Sequence, residues 1–122
     1  VLPARVSMHD MVRQPALVAA LVHALHTGDL ALLAQTVEQD PIVTPARAKL
    51  IPGFEQACAA AHEAGALAIL ISGSGPTLCA LCDSPASAQA VTAAFAVTYE
   101  QLSIGSRAFT ARPSPRGAHP VT

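Results

Sequence analysis

The sequence is short of charge, of lysine and of cysteine, and it contains no long apolar run. Each shortage excludes something. Seven basic residues against eight acidic ones leave a formal net charge of −1. There is no basic excess to neutralise phosphates, which argues against nucleic acid as a partner. No stretch approaches the ~20 apolar residues of a membrane helix. The first residues lack the charged-then-apolar pattern of a secretory leader. Residue 1 is Val, not Met, which fits a processed chain or a piece of a longer one. Cys58, Cys79 and Cys82 are few and odd in number, which argues against a disulfide framework and for a reducing, cytoplasmic compartment. What is present is a chain of 122 residues, 52% hydrophobic and 12% charged. That is too apolar for disorder and the right size for one compact domain.

Residues 1–8 read as an extended lead-in. A helix is predicted from about Asp10 to His26, with Leu17, Leu21 and Leu25 as a stripe along one face. Pro15 must then lie in the first turn or kink the helix. Gly28 suits a C-cap, and Asp29 the N-cap of a second helix to about Glu38. Pro41, Pro45 and Pro52 bar a continuous helix or central strand from 40 to 53. A third helix follows from Phe54 to Ala64, with Phe54, Cys58 and Ala61 on one face. Leu67–Ile71 and Thr77–Cys82 read as apolar strands around a Gly-rich loop. Ser84 and Pro85 start a helix to about Tyr99 that buries Ala88, Val91 and Phe95. A last strand is predicted near Ser106–Ala111. The predicted fold class is therefore α+β, an antiparallel ferredoxin-like sheet with one strand missing and helices packed on one face. The domain is expected to span 1–112, with 113–122 a flexible, Pro-rich tail.

Four features could carry chemistry. The loop Ser72-Gly73-Ser74-Gly75-Pro76-Thr77 offers close backbone approach to a ligand. It runs strand to strand, without the helix N-terminus and lysine of a phosphate-binding P-loop, so a plain hairpin turn is the alternative. Arg47 lies in a Pro-flanked segment of a chain with one lysine and six arginines. It can fork onto a carboxylate or phosphate, or simply be solvated. Cys79 and Cys82 have a C-x-x-C spacing, but residues three apart in a strand face opposite ways, so they are packing residues. His23 and His26 could share a helix face as metal ligands, but no third ligand lies at a matching spacing, so they read as surface residues. Asp10, Asp29 and Asp40 each fit a cap or turn. No metal ligand set and no catalytic residue can be named in this segment.

Three segments carry a resemblance. Residues 40–54, DPIVTPARAKLIPGF, resemble the Asp-x-Ile-x-(Glu)-Pro-x-Arg…Leu-(Ile/Leu)-Pro-Gly-Phe segment of the homoserine kinases. Residues 71–83, ISGSGPTLCALCD, resemble the third motif of the wider GHMP family of small-molecule kinases. Residues 2–12 and 21–33 resemble the Leu-Pro lead-in and the Ala-Leu…Gly-Asp-Leu helical hairpin. The resemblance covers the chain to about residue 112.

It implies transfer of the ATP γ-phosphoryl group to the hydroxyl of L-homoserine, with Mg²⁺, in threonine biosynthesis. It implies that Arg47 holds the substrate carboxylate and that Ser72, Gly73, Ser74, Gly75, Pro76 and Thr77 lie beside the phosphate-binding loop. The family's Gly-Leu-Gly-Ser-Ser loop does not occur in these residues, nor do its N-terminal substrate and Mg²⁺ contacts. ATP and Mg²⁺ then serve the whole enzyme and neither is expected tightly bound here. The fragment alone is expected to be inactive, and a homodimer is possible. Thr44 stands where many relatives carry Glu, and Gln14 and Leu17 where relatives often carry Asn and Arg. Two alternatives are another GHMP kinase, such as a mevalonate kinase, and a stand-alone amino-acid-binding regulatory α+β domain.

Overall fold

The structure is a computed structural model that describes residues 1–117 and 120. Helix α1 (Met8–Thr27) starts on Ser7, whose hydroxyl accepts from the Asp10 amide at 3.0 Å. The same hydroxyl donates to the Asp10 carboxylate and holds that carboxyl below the usual range. Gly28, at φ 72°, ends the helix. Helix α2 (Leu30–Glu38) is capped by Asp29, which accepts from the Leu32 amide at 2.9 Å. The two form a hairpin.

Two expectations about α1 change. Pro15 lies inside the helix, not in its first turn. It lies on the exposed side of the helix, as Met11 one turn before it does, so the carbonyl that its missing N–H leaves unpaired is on the side where water can serve it. The inward stripe is Gln14, Leu17, Leu21 and Ala24, while Leu25 is exposed. A helix of 3.6 residues per turn puts the fourth inward position at 24, because an uninterrupted run of four-residue steps drifts off the face.

The Pro-containing segment also holds a short helix that the prolines masked, α3 (Val43–Ala48). Pro45 is tolerated because it lies in the first turn, where its missing N–H has no partner to lose. Helix α4 (Phe54–Glu63) follows the Gly53 turn. A Cβ at Gly53, whose φ is 73°, would collide with the Leu102 side chain. The Pro-Gly-Phe turn is thus fitted against the end of helix α5 (Pro85–Gln101).

Strands β1 (Ala68–Ile71) and β2 (Leu78–Leu81) pair antiparallel, with Ile69 opposite Ala80 and Ile71 opposite Leu78. Helices α4 and α5 pack on this hairpin. Ala61, Ala66, Ile69 and Val91 are its buried core, with Cys58, Leu78, Ala80, Cys82 and Phe95 packed around them. The small side chains of α4 let it approach β1 closely. The Ile69 amide, unused by β2, donates to the Glu38 carboxylate at 2.7 Å, so the end of α2 closes that edge of the sheet.

The expected third strand is absent among the described residues, where the sheet has two strands. Residues 104–111 have no regular structure. Alternation alone does not make a strand; a neighbouring ladder must take its amides, and no strand lies beside this segment. Phe109 instead lies under the Arg107 guanidinium, 5.6 Å from ring centroid to charge. The tail expectation covers 113–122; residues 113–117 have no helix or strand, and 118, 119, 121 and 122 lie outside the described residues.

Candidate functional site

Arg47 lies in the last turn of α3, and its position starts with Asp40. The Asp40 carboxylate accepts from the amides of Ile42, Val43 and Thr44 at 3.0, 3.1 and 2.6 Å, and from the Thr44 hydroxyl at 2.9 Å. These are the donors that the start of a helix leaves without internal partners. Gln14 Nε2 also donates to Asp40, at 3.3 Å, tying α1 to the same point. Burial raises the carboxyl's pKa, but the backbone amides and the Thr44 hydroxyl outweigh it and hold the group below the usual carboxylate range. Thr44, a departure from the family pattern, thus adds its hydroxyl to the donors that Asp40 caps.

From this anchored helix Arg47 reaches across the chain. Its Nη1 donates to the Gly73 carbonyl at 2.7 Å. The two strongest sequence candidates, Arg47 and the Ser72–Thr77 loop, therefore meet. The loop is the hairpin turn that its spacing suggested. The Ser72 amide donates to the Thr77 carbonyl at 2.8 Å, and the Gly75 amide to the Ser72 carbonyl at 3.1 Å. Gly73 and Gly75 take φ of 59° and 82°, and the Gly75–Pro76 peptide is cis. A Cβ at Gly75 would press within 3.3 Å of both Ile51 and Ile71, whereas the space around Gly73 is open.

The Arg47 contact also orients the turn. A trans peptide points its C=O and N–H in opposite directions. With the Gly73 carbonyl turned to the guanidinium, the Ser74 N–H points away from it. That amide and the Gly73 amide donate to no protein acceptor among the described residues. The result is an exposed turn with free donors on one side and a cation on the other, able to receive an anionic group.

The other candidates stay apart from this site. Cys79 is exposed and Cys82 half-buried, both as free thiols. Burial, then the Glu38 and Glu55 charges, push the Cys58 thiol up to about 11. Burial also raises Cys82. His23 and His26 are exposed. Among the described residues no group of three His, Cys, Asp or Glu side chains could hold a metal ion. No described helix is long and apolar enough to cross a membrane. Sequence reading missed the clasp of Glu38, whose Oε1 lies 2.9 Å from His62 Nε2, with His62 Nδ1 3.2 Å from the Ala66 carbonyl. The partners come from three elements, so no spacing could have revealed it.

By class, this is an α+β domain whose exposed glycine turn is held by Arg47. The family described as GHMP kinases C terminal matches residues 21–101, and the chain belongs to that family. A homoserine kinase of Moorella thermoacetica (strain ATCC 39073 / JCM 9320) is 47% identical over 98 residues, 79% of this chain and 33% of that protein. The crystal structure of homoserine kinase from Cytophaga hutchinsonii ATCC 33406 superposes with a TM-score of 0.85 at 39% identity, over 89% of this chain and 34% of that one. The chain thus spans about a third of the length of the relatives it matches.

Proposed function

We propose that this chain is the C-terminal part of a homoserine kinase, which moves the γ-phosphoryl group of ATP to the hydroxyl of L-homoserine. The observation that carries the reading is the Arg47–Gly73 contact. One N–H of the guanidinium holds the turn, and the rest of its five-donor fork remains for the carboxylate of an amino acid. The turn in question, Ser72 to Thr77, then lies beside the transferring phosphate, with the Gly73 and Ser74 amides as donors to its oxygens. Arg47 has two jobs: it binds one end of the substrate and aims the loop that faces the other.

ATP supplies the phosphoryl group, and Mg²⁺ neutralises its charge when bound. No residue described here is assigned to Mg²⁺. Both belong to the site completed by the remaining two-thirds of the enzyme, in the cytoplasm. The 122 residues alone are then expected to turn nothing over.

Arg47→Leu in the complete enzyme tests this. The expected loss is about 2–3 kcal/mol of homoserine binding, the usual worth of a charged hydrogen-bonded contact. It reads as a rise in KM for homoserine of roughly 30–150-fold, with a far smaller change for ATP. An unchanged KM for homoserine removes Arg47 from the substrate. Equal damage to both substrates would reduce it to a strut for the turn.

A further inference from the structure

Glu38 is the last residue of α2, and its carboxylate lies where three elements meet. Its Oε1 accepts from the Ile69 amide of β1 at 2.7 Å and lies 2.9 Å from Nε2 of His62, in the last turn of α4. One oxygen thus fastens the end of α2 both to the sheet and to the helix behind it. Two residues beyond Glu38 stands Asp40, which starts α3, and Arg47 lies in the last turn of that helix. Four residues beyond Ile69 stands Gly73, whose carbonyl Arg47 holds at 2.7 Å. Among the described residues, these are the two hydrogen bonds that join residues 38–48 to residues 67–77.

We propose that Glu38 is a positioning residue for the Arg47 site: it fixes the angle at which α3 presents the guanidinium over the glycine turn. The inference rests on the reading of Arg47 as the group that holds the substrate carboxylate. A single hydrogen bond is a pivot. A second one, placed further along the same strand, removes the pivot. Four residues of extended chain cover about 13 Å, so a tilt of about 5° about one tie moves the other end by about 1 Å. A displacement of that size at a site that positions a substrate costs up to roughly 100-fold. What Glu38 supplies is an acceptor at a fixed reach. The neutral amide of Gln offers the same acceptor at the same reach, whereas Asp keeps the charge and falls one methylene short.

The test uses the complete enzyme with Glu38→Asp, Glu38→Gln and Arg47→Leu, singly and with Arg47→Leu added to Glu38→Asp. Glu38→Asp is expected to raise KM for homoserine about tenfold or more and to leave KM for ATP within about twofold, and Glu38→Gln to stay within about threefold of the parent for both. In the Arg47→Leu background, Glu38→Asp should change KM for homoserine by less than about twofold, because the group that it positions is gone. If Arg47→Leu raises KM for homoserine and Glu38→Asp does not, the proposal fails and the reading of Arg47 stands. If Arg47→Leu itself leaves that KM unchanged, the reading fails and takes the proposal with it. A loss with Gln but not with Asp would make charge the requirement, and a Glu38→Asp effect undiminished in the Arg47→Leu background would place its action elsewhere; either result overturns the proposal.

Discussion

The Arg47 side chain makes a single hydrogen bond among the described residues, to the Gly73 carbonyl, and that bond turns the carbonyl toward the guanidinium. The residue was legible as a candidate because cations are scarce here and prolines flank it. Its partner was not, since 26 positions separate Arg47 from Gly73. Asp40 supports the arrangement from below. Its pKa is lower folded than unfolded, so its contribution is complete above about pH 4 and is lost as pH falls through the folded value. Asp40→Ala is therefore expected to cost about 1 kcal/mol near neutral pH, by loss of a cap on a partly open helix end. Denaturant titration at pH 7 and pH 3 checks this, with the difference shrinking at pH 3. The thiols give a second residue-scale test. Cys79 is exposed, while Cys58 is pushed up to about 11 by burial and nearby carboxylates. Iodoacetamide at pH 8 should label Cys79 first and Cys58 last, because the thiolate is the reacting form.

Among the elements, α1, α2, α4 and α5 were readable because their start and stop signals are local. Asp29, Gly28, and Ser84 with Pro85 act at the positions where the sequence shows them. Helix α3 was hidden because its cap, Asp40, sits two residues before Ile42, the formal N-cap, amid prolines that read as breakers. The segment 106–111 was misread for the opposite reason: its alternation suits a strand, but a strand also needs a neighbour. The Gly53 turn joins two elements that spacing could not connect. Gly53→Ala should destabilise the fold by about 1–2 kcal/mol, from positive φ together with the collision with Leu102. Thermal unfolding measures this. In a Leu102→Ala background the penalty should shrink but persist, because the backbone strain at Gly53 remains.

At the scale of the whole molecule, the chain spans about a third of the length of the homoserine kinases that it matches. Its turn is held in shape, its cation has donors to spare, and Glu38 ties the end of α2 to β1. The sequence motifs around Arg47 and Ser72–Thr77 gave the family, and the fold agrees with homoserine kinase at a TM-score of 0.85. What no motif could convey is how the two segments meet. The most direct test of the account is ADP release by the complete protein with ATP, Mg²⁺ and either L-homoserine or mevalonate, alongside the 122-residue chain alone. Turnover by the complete protein with homoserine, and none by the chain, is the predicted result. Phosphorylation of mevalonate in place of homoserine, or turnover by the isolated chain, would contradict it.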